Sequence, residues 1–344
     1  MAELNHNIPK EKFKPAIIDS SEAEIINKPS LNFWQDSWLR VRKNKGAVVS
    51  LVLLSLIIIM AFLGPLISGR DANKQTVTQN NLPPKIPVLE NIEWLPFDGV
   101  TVNKAGKEID MYEMKNVPEG EYYWFGTDAL GRDLFTRLWK GTQISLYIAL
   151  LAAAIDLVIG VAYGAISGYF GGRLDNIMQR ITEVIMGIPN LIVVVLMILV
   201  LEPGILSITI ALTITGWVTM ARVVRAQVMK LKEQEFVLAA RTLGASNFKV
   251  IFKHMIPNLA GVMIINTMFT IPSAIFFEAF LSFIGLGLKA PAASLGTLID
   301  DGYKAMQMYP HMLLFPAITL SLIMICFNLV ADGLRDALDP KMRD

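Results

Sequence analysis

From residue 47 to residue 67 the chain carries no charged side chain. At about 1.5 Å per residue, a helix over that stretch crosses a hydrocarbon core roughly 30 Å thick. Five more apolar stretches follow, at 144–167, 177–201, 205–224, 259–288 and 312–330. A backbone in hydrocarbon has to satisfy its own N–H and C=O groups, so runs of this kind fold as helices. The sequence therefore predicts an all-α integral membrane protein with six transmembrane helices. Of its 344 residues 53% are hydrophobic and only 18% charged, too apolar a balance for an ordinary soluble domain.

Residues 1–46 read as a cytoplasmic tail followed by an interfacial helix: 1–29 are mixed in charge, then Leu31, Trp34, Trp38 and Val41 recur at helical spacing beside Arg40, Arg42, Lys43 and Lys45. The first transmembrane helix takes 47–69, too late and too long a run for a signal peptide. Residues 70–140 read as an extracytoplasmic insert with some strand, rich in Pro83–Pro84, Trp94, Tyr122, Tyr123 and Trp124. Residues 141–333 hold the remaining five spans, and 334–344 a cytoplasmic tail. Span three is expected to kink at Pro189. Gly160, Gly164 and Gly168 set a small-residue face on span two, fit for close helix contact. Gly171 to Arg173 reads as a short turn, and 289–310 as an outer loop dipping toward the membrane.

Lys and Arg in the short loops fix orientation. Arg173, Arg180, Arg222, Arg225, Lys230, Lys232, Arg241, Lys249, Lys253 and Arg335 fall on one side, while the turn at Glu202 has none. Both termini are then cytoplasmic, in a multi-pass membrane protein. Net charge is +1, which gives nucleic acid no hold. One cysteine, Cys326, allows no internal disulfide, and three scattered histidines argue against a metal site.

Residues 235–258 are a charged, amphipathic island between two spans. Phe236, Ala240 and Leu243 share one helical face, which Ala239 and Ala240 keep thin. Gly244 breaks that helix. Ser246 or Asn247 caps a second short helix carrying Lys249 and Lys253, and Pro257 closes it. The order Leu238-Ala239-Ala240, three residues, Gly244, nine residues, His254-Met255-Ile256-Pro257 resembles the "EAA" loop of ABC importer permeases. Leu238 stands where that loop usually has Glu, and His254 where it has Ile. The resemblance implies a coupling helix that docks in a groove of an ATPase subunit. Its contact residues would be Glu235, Phe236, Leu238, Ala239, Ala240, Arg241, Gly244, Ala245, Lys253 and Pro257.

Before span two stands FGTDALGRDLFTR, residues 125–137. Gly126 and Gly131 permit tight turns beside Thr127, while Asp128, Arg132 and Asp133 are able to pair. This extracytoplasmic motif, the segment 280–287 and the segment 327–340 resemble the C-type permeases of peptide importers, within the peptide/nickel permease family. The insert is longer than in most members.

Asp156 and Glu278 are ionisable residues deep in spans, and either line a translocation path or make structural hydrogen bonds. Glu183 lies near a cytoplasmic end, beside Arg180. No G-x-x-x-x-G-K-[S/T] loop occurs; Ala105-Gly106-Lys107-Glu108 lacks the first Gly and the hydroxyl. The chain is thus expected to be a non-catalytic subunit with no cofactor of its own.

The resemblance implies a type I ABC importer fold in a bacterial cell membrane and an oligopeptide cargo, with dipeptides or nickel chelates as alternatives. It also implies a homologous B-type permease partner, two ATPase subunits that bind ATP and Mg, and an extracellular peptide-binding lipoprotein. A different class, a proton-coupled secondary transporter using Asp156 and Glu278, is the competing expectation.

Overall fold

A computed structural model describes residues 32–92, 95–102 and 106–338. The tail to Leu31, Trp94, and the residues from 339 onward lie outside the described residues. Helix α1 (Phe33–Lys43) is followed after Asn44 by α2 (Lys45–Ser68). The Asn44 side chain accepts from the Ala47 amide at 3.1 Å, capping α2 at the foot of its uncharged run. Val41 is buried against Ala47 and Ala337, whereas Trp34 and Trp38 stay exposed.

The insert is small and partly stranded. Strands β1 (Val100–Val102) and β2 (Glu108–Asp110) pair antiparallel, and a single turn, α3 (Met111–Met114), follows. Leu82, Tyr112 and Tyr123 form its core, with the Tyr112 hydroxyl donating to the Pro83 carbonyl at 3.1 Å. Burial in that core pushes the Tyr112 hydroxyl well above its ordinary range.

Helix α4 (Leu134–Phe170) starts ten residues earlier than the apolar pattern predicts, so the insert ends at Asp133, not at Lys140. Polar residues of its first turns, Thr136, Arg137, Thr142 and Ser145, are buried against other elements, and hydropathy alone cannot see such tertiary burial. Span three departs further. In place of one helix kinked at Pro189 there are two, α5 (Gly172–Met186) and α6 (Asn190–Leu201), bent by 79° at the break. Gly187 ends the first, and Pro189, with no N–H to give, sits outside the second as its cap. Helix α5 is amphipathic, with Asp175, Met178 and Thr182 buried and Arg180 and Glu183 paired in solvent at 2.8 Å. Gly171 is the turn, and Gly172 and Arg173 already belong to α5.

Helix α7 (Ile205–Leu231) leads to α8 (Glu235–Thr242) and α9 (Asn247–Phe283). The outer loop holds a helix of its own, α10 (Leu295–Ala305), before α11 (His311–Leu338). Thus α11 continues past residue 330 and takes in the start of the expected 334–344 tail. Among the described residues five helices are long and apolar enough to cross a membrane, and six crossings result if the bent pair counts as one.

The glycine face of α4 lies against α7. A Cβ on Gly160 would meet Met220 and the Trp217 carbonyl; on Gly164, the Ala221 carbonyl; on Gly168, the Arg225 carbonyl. The two backbones therefore touch, the arrangement that small residues at four-residue spacing permit. Asp175 of α5 forks onto Arg225 of α7, with both N–O distances 2.6 Å, and ties the amphipathic helix to this pair. Leu54, Ala149, Ile275, Leu295 and Ile323 join α2, α4, α9, α10 and α11 in the main core.

Candidate functional site

The elbow between α7 and α9 is set by its backbone. Gly244 has φ +80°, its N–H donating to the Arg241 carbonyl and the Ala245 N–H to the Ala240 carbonyl, each at 3.0 Å. This pair of bonds is the Schellman closure of a helix, which needs a left-handed residue at its pivot. No heavy atom lies within 4 Å of where a Cβ on Gly244 would stand. The requirement for glycine within the chain is therefore conformational, and any side chain there would project into open space. Ser246 then caps α9, accepting from the Lys249 amide at 3.4 Å.

Pro257 does not close a second short helix. Val250–Met255 is a wide π-type turn inside α9, and the Ile256 amide reaches back to the Ile251 carbonyl. Pro257 falls in the first turn of the regular helix that follows, where a missing N–H removes little. The second arm of the elbow is thus the foot of a long transmembrane helix.

What roots the elbow is Val237, with 0% exposure. It packs with Val250, Ile251 and Met255 among Val161, Ala165 and Tyr169 of α4 and Val224 and Val228 of α7. The Tyr169 hydroxyl donates to Asn247 Oδ1 at 2.7 Å. Opposite this root lies an apolar surface: Phe236, Leu238, Leu243 (87% exposed), Phe248 (69%) and Phe252. Phe248 and Phe252 stack at 4.3 Å between ring centroids. Glu235, Ala239, Arg241 and Lys253 are exposed around it, and Ala240 and Ala245 are half-buried. Sequence spacing found Phe236 and Leu243. It missed Val237, and it missed the Phe248/Phe252 pair, whose i, i+4 spacing was there to be read.

The outer motif is a rivet of backbone and charge. Gly126 and Gly131 have φ of +78° and +72°, and a Cβ on either would run into the backbone carbonyl of Leu82 or Thr76. Thr127 accepts from the Leu82 amide at 2.8 Å and donates to the Gln79 carbonyl at 2.6 Å. Asp128 accepts from the Arg132 guanidinium at 2.6 Å and lies 3.4 Å from that of Arg137. Asp133 does not pair with Arg132; it caps α4 by accepting from the Thr136 amide at 2.8 Å, a contact a helix N-terminus favours. Burial raises the Asp133 carboxyl above its ordinary range, against the pull of its Thr136 hydrogen bonds. Arg137, 2% exposed, donates to the carbonyls of Ala72 and Pro291 at 3.3 and 3.5 Å. It joins the insert, α4 and the outer loop. Its presence in the string was plain, but its role depends on contacts far away in sequence.

Asp156 and Glu278 do not meet. Glu278 is fully buried and accepts from Ser145 and Ser282, both at 2.9 Å. Ser145 accepts in turn from the Leu295 amide at 3.1 Å, which sets the carboxylate close to the start of α10. Asp156 is buried against Gly216 of α7. Ser145 and Asp156 both lie on α4, eleven residues and so about 16 Å apart. Glu278 is thus held by two serine hydroxyls, whereas Asp156 Oδ1 is buried without a hydrogen-bond partner among the described residues.

Residues 32–84 match the N-terminal TM domain of oligopeptide transport permease C. Residues 160–344 match the binding-protein-dependent transport system inner membrane component. The chain belongs to this family. Among family relatives, the oligopeptide transport system permease protein OppC of Bacillus subtilis is 44% identical over 98% of this chain and 99% of its own. The dipeptide transport system permease protein DppC of Lactococcus lactis is 47% identical over 94% of both chains. OppC of Escherichia coli K12 is 37% identical over 93% of this chain and 95% of its own. A solved inward-facing structure of the MetNI methionine ABC transporter is similar at a TM-score of 0.44 and 17% identity, over 58% of this chain and 96% of that one. The family resemblance of residues 125–137 and 235–258 thus extends over almost the full chain. As a family member the chain is a multi-pass membrane permease subunit of an ABC transport system.

Proposed function

We propose that this chain forms half of the translocation pathway of an ATP-driven oligopeptide importer. It pairs with a homologous B-type permease, and an extracellular peptide-binding lipoprotein delivers the cargo. Two cytoplasmic ATPase subunits bind ATP and Mg, and one docks on the elbow. Both termini and the elbow are cytoplasmic in this reading, in keeping with the Lys/Arg asymmetry of the loops.

The observation that carries the proposal is the shape of the elbow: a glycine-pivoted corner with an apolar exposed side and a buried root. Leu243, Phe248 and Phe252 are costly in water and suit an apolar groove on another protein. Val237 and Tyr169 tie the same corner to α4 and α7, so a push on the exposed side moves two transmembrane helices together. The work of ATP closure is then converted into a change of access. Peptides enter the proposal through the relatives, whose names divide between oligopeptide and dipeptide transport.

Reconstitution tests this directly. Vesicles with the two permeases, both ATPases and the binding protein should take up a labelled peptide only with ATP. Peptide uptake by this chain alone, driven by a pH gradient, would contradict the proposal.

A further inference from the structure

Helix α5 is fastened to its neighbours by polar bonds more than by apolar packing. Its inward side carries Asp175, Met178 and Thr182, and Met178 is the one buried apolar side chain on it. Its other side exposes Leu174, Ile177, Ile181 and Val184. The Tyr163 hydroxyl of α4 donates to the Met178 carbonyl at 2.8 Å, and the Gln179 amide donates to the Ser167 hydroxyl of α4 at 3.1 Å. Ser167 donates in turn to Asp175 Oδ1. The Arg225 fork onto Asp175 closes this network from the α7 side. Near the break an apolar contact joins in, where Ile185 packs with Trp217, Val218 and Ala221 of α7.

Arg225 stands at a junction. Its backbone carbonyl is the atom that a Cβ on Gly168 would meet, so its main chain lies against α4 while its side chain holds α5. It sits six residues, about 9 Å along the helix, before the end of α7, which runs on into the elbow. A fork of two charge-assisted bonds fixes orientation as well as distance, and each is roughly twice as strong as a neutral hydrogen bond. The far end of α5 is jointed. The Gly187 N–H donates back to the Glu183 carbonyl at 3.0 Å, and Pro189 has no N–H to carry a helical bond across the break. Beyond it α6 is held separately, by Val194 among Ile148, Ile208 and Ala211.

We propose that Asp175 is a positioning residue for transport, resting on the function proposed above. The inner ends of α4 and α7 move with the elbow, because their backbones touch and close-packed contacts do not part cheaply. The Asp175–Arg225 fork delivers that movement to the start of α5. The far end of α5 stays with α6, so the helix tilts about the Gly187–Pro189 break. Without the fork, single neutral bonds remain, which exchange with water at small net cost and let α5 lag behind.

The test uses the five-component transporter in vesicles and reads peptides moved per ATP beside ATPase copurification and ATPase rate. Asp175→Asn and Arg225→Gln should each assemble and hydrolyse ATP near the wild-type rate, with the peptide-to-ATP ratio down severalfold. The double variant should be no worse than either single one, since both break the same link. Tyr163→Phe removes another bond that holds α5 but spares the fork, and should stay near the wild-type ratio. A wild-type ratio in both single variants would overturn the proposal. So would a further severalfold loss in the double variant, or a loss in Tyr163→Phe equal to that in Asp175→Asn. Should neither single variant assemble, Arg225→Lys, which keeps the charge and loses the fork, takes their place. A severalfold lower ratio in it supports the assignment; a wild-type ratio, or failure to assemble here too, would make the fork a structural tie and overturn it. ATP-dependent uptake by the wild-type complex is measured first, and its absence would defeat the importer reading rather than this assignment.

Discussion

Tyr169, near the end of α4, and Asn247, at the start of α9, are joined by a 2.7 Å hydrogen bond across the root of the elbow. It is a direct polar strut between the glycine-faced helix and the corner, in a region otherwise held by apolar packing. Tyr169→Phe keeps the ring in place and removes the strut. The expected loss is about 1 kcal/mol of stability, read as a lower Tm of the purified complex, with fewer peptides moved per ATP. An unchanged transport ratio would show that apolar packing at Val237 suffices.

The Gly164 contact makes a second prediction. A branched side chain there meets the Ala221 carbonyl of α7, where nothing gives way cheaply. Gly164→Leu should cost at least about 1–3 kcal/mol through overpacking and appear as loss of folded protein in the membrane. Wild-type yield and transport in this variant would mean that α4 and α7 do not lie as close as described.

Glu278 and Asp156 separate the importer from a proton-coupled carrier. Glu278→Gln retains two hydrogen-bonding atoms for Ser145 and Ser282, and ATP-driven uptake should persist in it and in Asp156→Asn. Glu278→Ala should destabilise by about 1–3 kcal/mol, because it leaves buried hydroxyls without their acceptor. Uptake abolished in both amide variants, at normal folding and ATPase rate, would favour a proton-carrying role for the carboxylates.

Much of this molecule was legible in its sequence because hydrocarbon imposes a local rule. The uncharged run at 47–67 needs no knowledge of its neighbours to become a helix. The same holds for the glycines at 160, 164 and 168, whose spacing already marks a contact face, and for Gly244, whose place after an alanine-rich turn marks a helix end. Other features depend on what folds back against them. Arg137 reads as the edge of a polar insert until Ala72 and Pro291 are seen to enclose it. Val237 looks like one apolar residue among several, and only its distant neighbours make it the root. Pro189 signals an interruption, but its angle depends on Gly187 two residues before it and on how α5 docks through Asp175 and Arg225. Pro257 misled for a related reason: a helix whose N–H groups reach back five residues is not stopped where an ordinary one would be.

The proposed orientation rests on Lys and Arg asymmetry and can be checked in intact cells. In a Cys326→Ser background, Val102→Cys on the exposed edge of β1 should label with an impermeant thiol reagent. Lys249→Cys, exposed on the elbow, should label only after permeabilisation. Equal labelling of the two in intact cells would reverse the assignment of sides.

The central claim is that the elbow couples ATP hydrolysis to transport, and Gly244→Asp tests it most directly. At φ +80° a side chain costs roughly 1–2 kcal/mol of local strain, and the carboxylate would point into the open space where the ATPase is proposed to sit. The transmembrane packing does not involve this residue, so the variant should insert and pair with its partner permease. Peptide uptake and ATPase copurification would be measured together in reconstituted vesicles, with Ala240→Arg as a second lesion and Lys249→Ala as a mild control. The account predicts folded complexes in which both lesions lose uptake, through weakened ATPase binding or through hydrolysis without transport. Normal, ATP-dependent uptake in both Gly244→Asp and Ala240→Arg would contradict it.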